Sequence, residues 1–258
     1  MKPVALILGA SSGMGYASAE LLAQNGYDLI LVYRARKAER QKVEASFESW
    51  RHEIGIRIWA YNQDALDEAV RSAILQEVQA NGLQVKLLLH SLAKGNLKPM
   101  VAQNEGERLL APQDFELTLN AMATSYYTWV SSLYQKSLLA PSASFLALTS
   151  EGARKAWSHY GAVSAAKAAL EAINRQLALE LGALGHRANI LQPGVTDTPA
   201  LRLIPGSERL LKLAEKRNPR GELTTPEKVA QVVLLMASRE SEWINGAVIP
   251  VDGGESIA

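Results

Sequence analysis

The chain contains no cysteine. Disulfides, thiolate nucleophiles and cysteine-held metals are therefore excluded, and no metal site is expected. An excess of charge is missing as well: 27 Lys and Arg stand against 26 Asp and Glu, a formal net charge of +1. Without a positive field of polyanion size, nucleic acid is not the expected partner. Long apolar runs are absent, and the first short one, Val4–Leu8, stops at a glycine turn. It has neither the length nor the cleavage site of a signal peptide, and nothing approaches the roughly 20 residues that span a bilayer. No repeat, low-complexity tract or Pro/Gly/Ser linker divides the sequence. The expectation is one globular domain over 1–258, cytoplasmic and outside the membrane.

What the sequence does contain is alternation. Apolar, β-rich runs at Val4–Leu8, Leu29–Tyr33, Ile56–Tyr61, Val85–His90, Ser144–Thr149, Ala188–Gln192 and Ala247–Val251 predict seven strands. Helical patterns lie between several of them, near 14–25, 37–52, 67–80, 113–136 and 160–181. Strands that are apolar on both faces and separated by helices form a mostly parallel sheet covered on both sides. Right-handed crossovers make this a Rossmann-like, doubly wound α/β fold. Two stretches without an early strand, 91–112 and 199–225, follow strands four and six. Ligands bind outside the carboxyl ends of such strands. Both stretches are therefore expected to wall the active site, with about 199–222 as a lid over the substrate.

Directly after the first strand comes Gly9-Ala10-Ser11-Ser12-Gly13-Met14-Gly15, spaced G-x3-G-x-G. A tight glycine turn there opens the amides of a helix N-terminus toward a pyrophosphate. Gly9, Ser11, Ser12, Gly13, Met14 and Gly15 are thus the candidate phosphate cradle of a dinucleotide. NAD-binding folds usually end strand two with an acid that holds the ribose 2′-hydroxyl. This strand ends Val32-Tyr33-Arg34-Ala35-Arg36-Lys37, and Asp28 lies at its wrong end. Arg34 and Arg36 carry the planar fork that clamps a 2′-phosphate, so NADP(H) is expected. The plainer alternative is that both arginines merely start a solvated helix. Asn62 and Gln63, after strand three, are expected near the adenine, unless they only form a polar loop.

The most informative stretch is Tyr160-Gly161-Ala162-Val163-Ser164-Ala165-Ala166-Lys167. Seven helical steps fall roughly 20° short of two turns, so Tyr160 and Lys167 share one helix face. This spacing, Y-x6-K, resembles the enoyl-acyl-carrier-protein reductases, a divergent branch of the short-chain dehydrogenases/reductases; the standard branch uses Y-x3-K, and Val163 stands in that tyrosine's place. Leu88-Leu89-His90-Ser91-Leu92-Ala93 resembles the same branch, as do the loop Pro193-Gly194-Val195-Thr196-Asp197-Thr198 and the terminal Val251-Asp252-Gly253-Gly254. The resemblance covers essentially the whole chain. It departs at Ser150, where the NADH-using enoyl reductases carry a second tyrosine. Ser150 and Asn120 match the catalytic serine and asparagine of ketoreductases instead, a combination similar to the NADPH-using enoyl reductases of some bacteria.

The resemblance implies hydride delivery to a thioester-conjugated double bond, with Tyr160 stabilising the enolate. Lys167 would bind the nicotinamide ribose and lower the tyrosine pKa. His90, Ser91, Leu92, Pro193, Gly194, Val195 and Thr198 would line the cofactor, His90 as a structural residue. Two other readings stay open: an NADPH-dependent ketoreductase on a β-ketoacyl thioester or other carbonyl, and a non-catalytic nucleotide-binding protein. The implied substrate is an acyl thioester on acyl carrier protein or coenzyme A. The resemblance also implies a homotetramer with paired long helices, for which the small residues on the 160–181 helix (Ala162, Ala165, Ala166, Ala168, Ala169, Ala172) leave room, unless that helix is packed inside its own subunit. Arg202, Arg209, Lys212, Lys216, Arg217 and Arg220, against only Glu208 and Glu215, suggest a basic rim for an acidic carrier, or merely a solvated helix.

Overall fold

The structure is a computed structural model that describes residues 2–258. Seven strands form one parallel sheet in the order β3-β2-β1-β4-β5-β6-β7. They are β1 (Val4–Leu8), β2 (Asp28–Tyr33), β3 (Ile58–Asn62), β4 (Val85–His90), β5 (Leu139–Leu148), β6 (Arg187–Pro193) and β7 (Val248–Val251). The chain reverses direction across the sheet between β1 and β4, the switch point at which doubly wound folds open a cleft.

Every residue of β1 and β2 is buried, because alternate side chains enter two different cores. Leu6 and Leu8 join Ile30 and Val32 under α3 (Glu68–Ala80), α5 (Ser125–Gln135) and α6 (Gly161–Gly182). Ala5 and Ile7 join Leu29 and Leu31 under α1 (Gly13–Gln24), α2 (Lys37–Ser49) and α8 (Pro226–Ala237). Burial on both faces is why these strands read as continuous apolar runs. Asp28 serves structure alone: its carboxylate takes two hydrogen bonds from the Arg57 guanidinium, at 2.9 and 2.7 Å, and one from the Arg57 amide at 2.8 Å. It pins the start of β2 to the approach to β3, far from the cleft.

The expected 113–136 helix is three pieces. α4 (Pro112–Leu119) passes through a π-turn at Asn120–Thr124 into α5. β5 begins five residues before the expected start, the basic stretch of the lid segment forms a helix, α7 (Ser207–Arg217), and α8 adds to the expected helices. Thr225 caps α8 through its side chain, and Pro226 opens it, a start signal visible in the sequence. α7 is held differently: Ala214 is its one buried residue. No helix among the described residues is long and apolar enough to cross a membrane.

Candidate active site

The turn after β1 is packed backbone on backbone. Gly9 has φ +94, and a Cβ there would stand 2.4 Å from the Ser91 carbonyl oxygen. A Cβ on Gly15 would stand 2.1 Å from the carbonyl oxygen of Gly9. Only glycine fits either position. Ser12, the residue before α1, makes no side-chain cap, so the first amides of the helix stay open to an anion. The cradle therefore suits the pyrophosphate of a dinucleotide.

Past β2 the chain presents Arg34 and Arg36, both exposed. Arg34 is paired with Asp64 at 2.9 Å, and Lys94 reaches the same carboxylate at 3.6 Å. Asn62, expected near the adenine, turns its amide to the Ala35 backbone. Its amide accepts from the Ala35 N–H at 2.9 Å and donates to the Ala35 carbonyl at 3.1 Å, which sets the turn that carries the two arginines. Strand three ends beside strand two, so this amide meets an open backbone edge before it can meet a ligand. Gln63 is exposed.

At the carboxyl ends of β4, β5 and β6 lies a cavity of about 180 Å³. Met14, Ser91, Leu92, Ser150, Tyr160, Lys167, Pro193, Gly194, Val195 and Thr198 all line it, as the sequence motifs require. Both expected walls are present: Leu92, Ala93, Gly95 and Leu97 from one segment, Ala200, Leu201, Leu203 and Ile204 from the other. Met122, Trp157 and Val163 close the apolar side.

Tyr160 is the residue just before α6 rather than its first turn. Its hydroxyl lies 3.3 Å from the Ser150 Oγ, which also accepts the Gly152 N–H at 2.9 Å. Burial raises the Tyr160 pKa above its ordinary value, and the Ser150 hydrogen bond only partly offsets this. Lys167 is fully enclosed, gives one hydrogen bond to the Leu148 carbonyl at 2.7 Å, and is pushed by burial down to about 8. The expected lowering of the tyrosine pKa by Lys167 is thus reversed in the structure: desolvation of the phenol dominates, and the ammonium is drawn to the end of β5.

Two sequence candidates fall away from the cavity. Asn120 is exposed at the start of the π-turn and accepts from Thr124 Oγ1 at 3.3 Å. The buried faces of that turn belong to Ala121, Met122 and Ala123, so the amide lies on the solvent side of the helix. His90 faces α5, its Nε2 2.7 Å from Ser125 Oγ, while Ser125 hydrogen bonds to the Ala121 carbonyl at 3.0 Å. With the serine hydrogen given to Ala121, His90 donates from Nε2. Burial, aided by the Lys167 charge, holds its pKa down at about 3, so the ring stays neutral.

Sequence reasoning missed the carboxylates of the site. Glu171, buried on α6, accepts from Thr149 Oγ1 at 3.0 Å and from Arg154 at 3.1 Å, bracing the loop that bears Ser150. Glu151 and Glu255 both bind Arg217. Apart from the Glu151–Lys155 pair four residues apart, their partners lie 17 to 66 residues away, so little in the local sequence marks them. The basic rim is also thinner than the sequence suggests. Arg202 is paired with Asp197, Arg217 with two glutamates and Arg220 with Glu222. Arg209, Lys212 and Lys216 remain exposed and outside the ion pairs of the described residues.

A glycine cradle at the switch point and a buried tyrosine–lysine pair in the adjoining cavity define an oxidoreductase of the short-chain dehydrogenase/reductase kind, which uses a nicotinamide cofactor. The enoyl-(acyl carrier protein) reductase family model matches residues 9–256, and the chain belongs to that family. A peroxisomal 2,4-dienoyl-CoA reductase from Mus musculus is 29% identical over 253 residues, covering 97% of this chain and 82% of the relative. A 3-oxoacyl-(acyl-carrier-protein) reductase FabG from Chlamydia muridarum is 24% identical over 266 residues, covering 97% and 96%. Among solved structures, the enoyl-(acyl-carrier-protein) reductase (NADH) of Aquifex aeolicus VF5 superposes with a TM-score of 0.84 at 23% identity, covering 99% of this chain and 97% of that one. Agreement at that identity speaks for the fold.

Proposed function

We propose that the protein reduces the trans-2 double bond of an enoyl thioester with NADPH, as in fatty-acid elongation. One observation carries the reading: the phenol stands at Tyr160, while the place of the standard tyrosine is closed. Val163 lies against Gly95 so tightly that a Cβ on that glycine would be 2.7 Å from Val163 Cγ2. An aromatic ring at 163 would collide with the 93–97 wall. The proton-donating group is therefore set back toward the helix start. This suits an oxygen displaced from the hydride-accepting carbon, whereas a ketone oxygen is attached to it.

NADPH bound along the Gly9–Gly15 cradle would supply the hydride. Arg34 and Arg36 would hold its 2′-phosphate, and Lys167 its nicotinamide ribose. Tyr160, kept neutral by burial, donates a hydrogen bond to the thioester oxygen as negative charge collects there. Ser150 holds the phenol in place. Leu97, Met122, Trp157 and Ile204 exclude water and receive the acyl chain.

The second reading, ketoreduction, is favoured by the same Ser150–Tyr160 contact, a pairing of ketoreductase type. NADPH oxidation measured separately with a crotonyl and an acetoacetyl thioester decides between them. The expected result is turnover of the crotonyl substrate; turnover of acetoacetyl alone replaces this proposal with the second. We further propose a cytoplasmic homotetramer acting on acyl chains carried by acyl carrier protein or coenzyme A. Ala162 and Ala166 pack inside the subunit, but Ala165, Ala168 and Ala172 form an exposed small-residue stripe suited to helix pairing.

A further inference from the structure

We propose that Arg217 is a positioning residue: it latches the lid helix α7 shut and, through Glu255, ties lid closure to the Gly194–Val195 loop. The proposal extends the substrate and cofactor assignment above and names the device that holds the two halves of that site in register.

Arg217 is the last residue of α7. One of its guanidinium nitrogens donates to Glu255 Oε1 at 2.6 Å and to Glu151 Oε2 at 2.9 Å. Glu255 belongs to a 3-10 turn near the chain terminus, and its side chain is only 3% exposed. Its other oxygen accepts the Val195 N–H at 2.9 Å. The same carboxylate lies so close under the loop that a Cβ on Gly194 would be 2.6 Å from it. Glu151 follows Ser150, which touches Tyr160, and its second oxygen is held by Lys155. A single guanidinium thus joins three places: the lid, the support of the β6 loop and the loop that holds the phenol. Arg217, Glu151 and Glu255 all line the cavity beside Tyr160 and Lys167.

The energetic argument concerns what else holds α7. With Ala214 alone buried and Leu213 56% exposed, the helix has little apolar burial to anchor it. Elements with few buried contacts open at low cost. Two charge-assisted hydrogen bonds in a largely enclosed setting are stronger than surface pairs. Removing the guanidinium frees the end of α7 from both partners and leaves the buried Glu255 carboxylate without its cation.

The test uses limited trypsin digestion of the full-length protein, followed at the exposed sites Arg209, Lys212 and Lys216, alongside kinetics. Arg217→Gln should be nicked at these sites about tenfold faster than the parent, with KM for a crotonyl thioester raised about tenfold and the NADPH Kd within about twofold. Arg217→Lys should fall between the two. Glu255→Gln keeps an acceptor for the Val195 amide but loses the ion pair, so it should open the lid in the same way. The double variant should be no worse than either single. Unchanged nicking, nicking raised equally across the whole chain, or additive effects in the double variant would each overturn the latch. Digestion needs no substrate. A parent that fails to turn over crotonyl thioester sinks the proposed function while the nicking pattern still decides the latch.

Discussion

The two sides of the cleft are built from different materials. On the cofactor side, Gly9, Gly15 and Ser91 meet as backbone against backbone, with no room for a single methyl group. On the substrate side, α7 rests on one buried alanine and on ion pairs made by its terminal arginine. A ligand part common to all dinucleotides can be met by a rigid, side-chain-free surface. A substrate that must enter and leave needs a wall held by contacts that can break and reform. The cleft therefore combines a fixed cradle with a releasable cover.

The largest effect that tests this contrast comes from acid. The unfolded His90 imidazole takes a proton below about 6.5, whereas the folded ring, beneath the rigid side, refuses it until about 3. Its contribution to stability is present above pH 6.5 and is lost as the pH falls toward 3, by roughly 5 kcal/mol in the acid limit. Urea midpoints between pH 7 and pH 4 should fall less steeply for His90→Asn than for the parent. Parallel curves would show that the ring does not matter to acid sensitivity.

Tyr160→Phe sits on the seam between the two sides and should lower kcat by about 10²- to 10⁴-fold. NADPH should still bind with the parent's affinity by fluorescence titration, since only a hydrogen bond to the reacting oxygen is lost. Retained turnover would remove the phenol from the mechanism. Gly15→Ala attacks the rigid side directly and should destabilise the fold by about 2–4 kcal/mol in chemical denaturation. A methyl group on the lid side should show no comparable penalty. If Gly15→Ala unfolds at the parent's midpoint, the cradle is not a tight backbone surface.

Arg34→Asp alters the cofactor side without touching its backbone. It removes a phosphate clamp, supplies a ribose acceptor and breaks the pair with Asp64. The ratio of kcat/KM for NADPH over NADH should fall by about 10- to 100-fold; an unchanged ratio would mean that 2′-phosphate selection lies elsewhere. The smallest effect belongs to the lid surface. Only Arg209, Lys212 and Lys216 remain to steer an acidic carrier, so raising salt should slow a carrier-protein substrate about two- to threefold, while a short uncharged thioester barely responds. Equal salt dependence for both substrates would leave the rim without a steering role.

Much of the site was legible because its chemistry is local in sequence. The glycine spacing after β1, the Tyr160–Lys167 interval and the loop after β6 each announce themselves within ten residues, and the structure brings the last two, with Met14 of the first, to one cavity. What the sequence could not supply was orientation. Asn120 has the right residue type at a matching position, but the π-turn leaves it facing solvent. Asn62 has a ligand-binding amide, yet the Ala35 backbone claims both of its ends. Neither outcome follows from spacing alone, because a one-residue change of helical phase or an open peptide edge nearby decides it.

The sequence by itself determined the α/β alternation, the parallel sheet, the position of the phosphate cradle and the displaced tyrosine. These depend on periodicity, on the steric freedom of glycine and on residues close together in the chain. Only the tertiary structure decided which charges are free and which are spent. Arg217 counts as one more basic residue until Glu151 and Glu255 arrive from elsewhere in the chain, the former 66 residues away, to neutralise it. Lys167 keeps its place in the motif, but its pKa of about 8 comes from enclosure. Charge pairing and desolvation are properties of three-dimensional neighbours, and no local pattern in a single sequence records them.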